Sequence, residues 1–415
     1  MRTTETIIIG AGQAGLAMSH CLTDEGADHV VLERGRLAER WRSERWDSLR
    51  LLTPNWAARL PGWQYQGDDP DGYMTAGQVV RYFESYAGSF DAPVHEGTTV
   101  LSLRRDGEGF SVRTDQGVWH AANVVIATGW CDRPHVPRAA NGLSSSIAQL
   151  TPSTYRNPDQ LPKGGVLVVG ASASGVQLAD ELARAGRHVA LAAGNHTRIP
   201  RRYRGLDIFW WLDQMGTFTK TIDEMPDPER ARREPSLQLV GRPDGRSLDL
   251  VTLEVAGVRL AGRLVGIDGT AVRCADDLSA TTAAADARMD RVLGEIDAFI
   301  EARGLDREVL PRQHVRKLRH PRGASGLDLR RAGIATVIWA TGFERPYSWL
   351  HVPVLDRRGE ISQRRGVTSV PGLYTLGQRF QHTRHSNFID GVRHDAAFVA
   401  HHLTQRARPL ERLAS

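Results

Sequence analysis

The chain is short of cysteine, short of lysine and without a long apolar run. Only three of its 415 residues are cysteine. Cys21, Cys131 and Cys274 lie far apart, with no Cys-x-x-Cys pair and no metal-like spacing, which argues against a redox dithiol and a thiolate metal site. No apolar stretch approaches the roughly 18 residues of a membrane span. The N-terminus enters an aliphatic run almost at once, so no signal peptide is expected and the expected location is the cytoplasm. Lysine occurs only as Lys163, Lys220 and Lys317, so nearly all of the 53 basic residues are arginine. These are scattered, and no basic run with interleaved aromatics suggests nucleic acid. No Ser-His-Asp triad is legible. The fifteen histidines include His314, His320, His382, His385, His401 and His402. They lack acidic or cysteine companions at ligand spacing and read as surface or packing residues, so no metal is expected.

What the chain does have is a globular composition, 41% hydrophobic and 24% charged, with length for two or three domains. It also carries two glycine-rich signatures, each after a short aliphatic run that reads as a buried parallel strand. The first is Ile7-Ile8-Ile9-Gly10-Ala11-Gly12-Gln13-Ala14-Gly15. Gly10 permits a tight turn, Gly12 lets backbone approach a pyrophosphate, and Gly15 allows a helix to pack closely on the strand. The helix expected from about Ala14 to Glu25 points its positive end at the phosphates. A second strand, Val30-Val31-Leu32, ends at Glu33, where a carboxylate accepts from ribose hydroxyls and repels a 2′-phosphate. This site wants FAD or NAD.

The second signature is Val166-Leu167-Val168-Val169-Gly170-Ala171-Ser172-Ala173-Ser174-Gly175, with Ser172 in place of the middle glycine. Its next strand, His188 to Ala193, ends without an acid. Arg198, Arg201 and Arg202 follow, and arginine suits bidentate phosphate recognition. The missing acid and these arginines favour NADPH over NADH.

Two further runs, Val124-Val125-Ile126-Ala127-Thr128-Gly129 and Val337-Ile338-Trp339-Ala340-Thr341-Gly342, both close on Ala-Thr-Gly. This quartet resembles the flavoproteins with two dinucleotide-binding domains, and within them the flavin-containing monooxygenases. The resemblance covers nearly the whole chain and includes Trp41-Arg42, Trp46-Asp47-Ser48-Leu49, Pro371-Gly372-Leu373-Tyr374 and Ser386-Asn387-Phe388-Ile389-Asp390-Gly391-Val392. It implies an α/β fold of two Rossmann-like dinucleotide-binding domains, the NADPH domain inserted into a split FAD domain. The expected boundaries are 1–160 and 336–415 for FAD and 161–335 for NADPH.

On matching positions it implies FAD contacts at Gly10, Gly12, Gln13, Ala14, Gly15, Glu33, Arg34, Trp41, Arg42, Trp46, Val100, Ala127, Thr128, Gly129, Gly377 and Gln378. NADPH contacts are implied at Gly170, Ser172, Ala173, Ser174, Gly175, Ala340, Thr341 and Gly342, beside Arg198, Arg201 and Arg202. Candidates for polar groups near the flavin are Asn55, Gln378, Arg384 and Asn387, with Asn55 and Arg384 the catalytic candidates. The family chemistry is hydride transfer from NADPH to FAD, oxygen addition at flavin C4a to give a (hydro)peroxyflavin, and transfer of oxygen to an amine, sulfide or electron-rich ring.

The chain departs from the family at Ser145, Ile147 and Thr151 of the linker fingerprint, while Tyr155 is kept. Ala38-Glu39 replaces a Gly-Gly, and Leu52 stands where some members carry asparagine. Two alternatives therefore stand beside oxygenation of a small lipophilic molecule. One is reduction of a quinone or electron carrier without oxygen insertion. The other is Baeyer-Villiger oxidation of a ketone. The partners expected are a small substrate and O2, with no nucleic acid or membrane and with a homo-oligomer left open.

Strands are expected over Val94 to Arg104, Phe110 to Thr114 and Leu373 to Leu376, with a linker over Thr151 to Gly165 and a closing helix. Tyr203 to Gly216 shows an apolar face at helical spacing, read as domain core or as a lid over a lipophilic substrate. Ser279 to Arg303 reads as an amphipathic helix packed on the NADPH domain or on a second subunit.

Overall fold

A computed structural model describes residues 2–319 and 323–411; His320 lies outside them. The elements that position the site are, in chain order, β1 (Arg2–Ile9), α1 (Gln13–Asp24), β2 (His29–Leu32), α2 (Glu39–Ser43), β3 (Val94–His95), β4 (Gly117–Ile126), β5 (Ala148–Leu150), β6 (Gly165–Val169), α3 (Ala173–Arg184), β7 (Val189–Ala192), α4 (Ile208–Gln214), β8 (Arg259–Ala261), α5 (Leu278–Arg303), β9 (Ile334–Trp339), β10 (Leu373–Thr375) and α6 (Val392–Glu411).

They form two parallel sheets. The first runs β10-β4-β1-β2-β3, and a hairpin of Val100–Asp106 and Gly109–Thr114 adds antiparallel to β4. The second runs β5-β9-β6-β7-β8. In both, the strand before the glycine turn is flanked by the strand ending in Ala-Thr-Gly and by the strand after the helix. Ile9 pairs with Ile126 and Leu32, and Val169 pairs with Trp339 and Ala192. The second sheet takes β5 from before residue 161 and the end of β9 from beyond 335.

Both faces of each sheet are covered, as long runs of Ile, Val and Leu in the central strands require. Leu16, Met18 and Leu22 of α1 join Val392, Val399 and Leu403 of α6 on one face of the first sheet. Phe110, Trp119 and Leu350 fill the other. The second sheet buries Val176, Leu178 and Leu182 of α3 on one side and Val272, Leu327 and Leu329 on the other. A fifth cluster joins Phe209 and Trp211 of α4 to Met289, Leu293, Ile296 and Ile300 of α5. The apolar stripe of α5 thus faces its own chain. No helix among the described residues is long and apolar enough to cross a membrane.

The strand expected over Val94 to Arg104 is broken, because Gly97 turns the chain at φ +61° between β3 and the Val100 strand. That turn brings the Thr98 N–H onto the Glu33 carbonyl at 2.7 Å.

Asp395, in the first turn of α6, is buried, and Oδ2 finds no hydrogen-bond partner among the described residues. Burial pushes its carboxyl up to about 6, against the smaller opposing effects of Ser386 and Arg365. The folded chain therefore holds this proton more tightly than the unfolded chain, and stability falls as pH rises from about 4 to about 6. Asp395→Asn is expected to raise stability by roughly 2 kcal/mol at pH 7.5 and by little at pH 4. Thermal melts of both proteins at the two pH values check this.

Candidate cofactor and substrate sites

The two glycine turns have the same geometry. Gly10 and Gly170 both sit at φ +107°. A Cβ on Gly10 would lie 2.7 Å from the Ala127 carbonyl oxygen, and one on Gly170 would lie 2.3 Å from that of Ala340. Gly15 and Gly175 pack still closer: a Cβ would stand 1.8 Å from Gly10 O and 1.9 Å from Gly170 O, respectively. Each Ala-Thr-Gly strand end thus presses on a turn where no side chain fits. The strand ends are locked by Ala127 N–H to Ile9 O at 2.9 Å and Ala340 N–H to Val169 O at 2.8 Å.

Gly12 and Ser172 cap α1 and α3 in extended conformation, and neither helix has an acid in its first turn. A Cβ on Gly12 would meet nothing within 4 Å. The Ser172 hydroxyl makes no capping bond. Both helix ends thus offer free N–H groups and open space, which fits a pyrophosphate. Gly129 and Gly342, at φ +80° and +95°, likewise have open space beside them.

Glu33 follows β2 as expected. Its Oε2 accepts from the Ala11 N–H at 2.8 Å and its Oε1 from the Gly35 N–H at 3.0 Å. Each oxygen keeps a lone pair for a ribose hydroxyl. The position after β7 is the buried Ala193. The first cradle is closed by the C-terminal segment. Gln13 Nε2 donates to Asn387 O at 2.8 Å, and Gly377, at φ +76°, lies against Ala14. Gln378 is buried, its Nε2 donating to Thr375 Oγ1 at 3.2 Å. Val100 is half-buried at the start of its strand, and Arg34 is an exposed partner of Asp132 at 3.4 Å. Trp41 packs on the first core, with Arg45 over its ring at 5.2 Å. Arg42 donates to Leu37 O at 2.9 Å.

Four of the expected site residues have their side chains engaged within the fold. Trp46 is buried among Tyr155, Leu161 and Val166, where it anchors its segment on the second core. Asn55 spends its amide on backbone: Oδ1 accepts from Met74 N–H at 2.7 Å and Nδ2 donates to Asp69 O at 2.8 Å. Arg198 is buried between Asp286 at 2.7 Å and Asp249 at 2.9 Å, and also donates to Arg316 O. Arg201 is fully buried, paired with Asp207, donating to Leu52 O at 2.6 Å and stacked over Tyr73 at 4.5 Å. Buried charges are retained where carboxylates and carbonyls pair with them, and both arginines are engaged in this way, although Arg198 Nε has no partner among the described residues. Arg202 is exposed, with no ion pair among the described residues. Arg384 is partly exposed and paired with Glu234 at 2.6 Å.

Other residues gave no signal in sequence. Arg40 reaches across to Asp132 and to the carbonyl of Cys131. Gln238 is buried, and its Nε2 donates to Ala171 O at 2.7 Å, setting the second turn from 67 residues away. Beyond the two Ala-Thr-Gly ends, Arg133-Pro134 pairs antiparallel with Phe343-Glu344, and His135 N–H donates to Gly342 O at 2.9 Å. This ribbon joins the exits of the two cradles. The three cysteines are free. Burial pushes the Cys21 thiol up to about 12 and raises that of Cys131, which its arginine neighbours only partly offset.

Two joined cradles of this kind define a flavoprotein oxidoreductase with two dinucleotide-binding folds. Residues 7–204 match the pyridine nucleotide-disulphide oxidoreductase family. A CzcO-like oxidoreductase of Geobacillus kaustophilus is 34% identical over 398 residues, covering 95% of this chain and 97% of that protein. An indole-3-pyruvate monooxygenase, YUCCA1 of Oryza sativa subsp. japonica, is 33% identical over 208 residues, 49% of this chain and 51% of that one. The fold matches that of a flavin-containing monooxygenase from Stenotrophomonas maltophilia with a TM-score of 0.69 at 18% identity, over 98% of this chain and 100% of that one. The chain belongs to the CzcO-like oxidoreductases and is a flavin-dependent oxidoreductase.

Glu33→Ala is expected to yield protein largely free of FAD, measured as the flavin-to-protein absorbance ratio after purification. Arg198→Ala leaves Asp249 and Asp286 without their buried partner and is expected to cost about 3 kcal/mol of stability. The KM for NADPH should change by less than about twofold in the folded fraction, since the uniform loss is of packing rather than phosphate binding.

Proposed function

We propose that this enzyme is an NADPH-dependent FAD monooxygenase that inserts one atom of O2 into a small lipophilic molecule bearing a soft nucleophile, an amine, sulfide or electron-rich ring. The observation that carries the reading is the pair of like cradles whose exits meet at the Arg133-Pro134 and Phe343-Glu344 ribbon. The shared frame supports the reading, because passage of a hydride from one cofactor to the other needs both in one rigid arrangement. We assign FAD to the cradle with Glu33, formed mainly by residues 1–160 and 336–415, and NADPH to the cradle where Ala193 replaces the acid, formed by 161–335 together with β5 and the Ala340-Thr341-Gly342 strand end. The likeness to the rice indole-3-pyruvate monooxygenase supports oxygenation, as does an aromatic slit at the seam between the two halves. A reductase of disulfides would need a thiol pair, and the three cysteines are far apart in sequence. Free thiols also suit a cytoplasmic location.

FAD supplies the redox chemistry, and the protein binds, orients and excludes water. The N–H groups at the ends of α1 and α3 receive the pyrophosphates. Glu33 accepts from a ribose and keeps a 2′-phosphate out. Gln13 ties the first turn to Asn387, so that closure of the C-terminal segment and occupancy of the first cradle are linked.

The test is anaerobic reduction by NADPH followed by mixing with oxygenated buffer in stopped flow. A long-lived absorbing species distinct from oxidised and reduced flavin is expected, and isotopically heavy O2 should add one labelled atom to product. Unlabelled product and direct return to oxidised flavin would move the reading to an NADPH oxidase or reductase.

A further inference from the structure

The seam between the two halves holds an aromatic slit that neither cradle uses. Trp56 and Arg59 line it from the first half, Phe209, Asp213 and Phe218 from the insert, and His385 and Phe388 from the C-terminal segment. The slit adjoins the first cradle: Phe388 follows Asn387, whose carbonyl accepts from Gln13. It is almost closed. Its free volume is about 10 Å³, at the threshold for a single water.

Phe218 is what fills it. Its ring stacks on Phe209 at 5.4 Å and 24°, meets Phe388 edge-on at 5.9 Å, and lies 30° from the plane of His385. The two stacked rings are held unequally. Phe209 belongs to α4, whose N-cap Asp207 accepts from the Phe209 N–H at 2.8 Å and is itself clamped by Arg201 and by Tyr73 Oη at 2.8 Å. Phe218 is half-buried in the turn after Gly216, which sits at φ +67°. The lining sets the Arg59 guanidinium against two carboxylates, Asp390 and, at 3.9 Å, Asp213. Arg59 is satisfied by both oxygens of Asp390, at 2.7 and 2.9 Å, and burial holds His385 down at about 4, neutral at physiological pH.

We propose that Phe218 is a place-holder for the flat aromatic ring of the substrate, stacked on Phe209 until a substrate ring displaces it. This rests on the proposed oxygenation and deepens it by naming the substrate class: an uncharged planar aromatic carrying the soft nucleophile. A planar ring can reproduce the stacking and edge contacts that Phe218 makes, whereas a puckered ring of equal size cannot.

The test compares thioanisole with cyclohexyl methyl sulfide, which share the sulfur and differ in the ring. Binding to the oxidised FAD-loaded enzyme is measured by calorimetry, with neither NADPH nor turnover required. The parent protein should bind thioanisole about tenfold more tightly than the cyclohexyl compound. Phe218→Ala should tighten thioanisole several-fold, because the competing ring is gone. Phe209→Leu, which keeps apolar volume, should weaken it by about tenfold and leave the cyclohexyl compound nearly unchanged. Equal binding of the two sulfides, no binding of thioanisole, or shifts of the same sign in the two variants would overturn the proposal. If binding follows the pattern but no sulfoxide forms, oxygenation fails and the aromatic subsite stands. If sulfoxide forms while binding ignores both substitutions, the subsite fails and oxygenation stands.

Discussion

A backbone approach too close for any side chain underlies both halves of the molecule. Gly15 and Gly175 lie against the carbonyls of Gly10 and Gly170, and those turns lie against Ala127 and Ala340. The contact sets how deeply each helix settles on its strand. It also decides that the free N–H groups of α1 and α3 face open space rather than protein. Everything else at the two cradles is arranged around that fixed depth: Glu33 reaches Ala11, Gln238 reaches Ala171, and Gly377 slides against Ala14.

Arginine plays an unusual part in this frame. A chain with so few lysines places several guanidiniums inside, where the planar fork can be saturated by carboxylates and carbonyls together. Arg201 ties Leu52, Asp207 and Tyr73 into one knot across the seam. Arg198 links Asp286, Asp249 and the Arg316 carbonyl within the insert. Arg187 donates to four carbonyls of the linker before β6. The positive charge of the chain is therefore in good part structural, and its excess reflects cross-links as much as attraction for an anionic cofactor.

The seam shows how rigidity and yield are divided. On one side of the aromatic slit α4 is held by its Asp207 cap and by Trp211, whose indole donates to Tyr203 O at 2.9 Å. On the other, the Phe218 turn is tied to α4 by the Thr217 N–H donating to Leu212 O at 2.9 Å, and at its far end Thr221 pairs with Thr383 and the Arg384 N–H donates to Lys220 O. The region expected as either core or lid thus has both characters in adjacent residues. α4 belongs to the core, and the turn beyond it covers the slit.

The sequence by itself determined what depends on local order along the chain. Aliphatic runs followed by glycine turns specify strand, turn and helix, and the spacing from Gly10 to Glu33 sets a carboxylate beside the first turn, because these are matters of backbone geometry over one βαβ unit. The two-sheet architecture followed from repeating that unit. Tertiary structure decided which polar side chains remain available. Arg198, Arg201 and Asn55 have the chemistry of ligand-binding residues, and nothing local distinguishes them from ones that bind. Their partners Asp286, the Leu52 carbonyl and Met74 come from other elements, and burial together with those partners engages them within the fold. The slit of Trp56, Phe209, Phe218 and Phe388 arises the same way: three distant segments, each with ordinary aromatic residues, become a recognition surface only where folding stacks their rings.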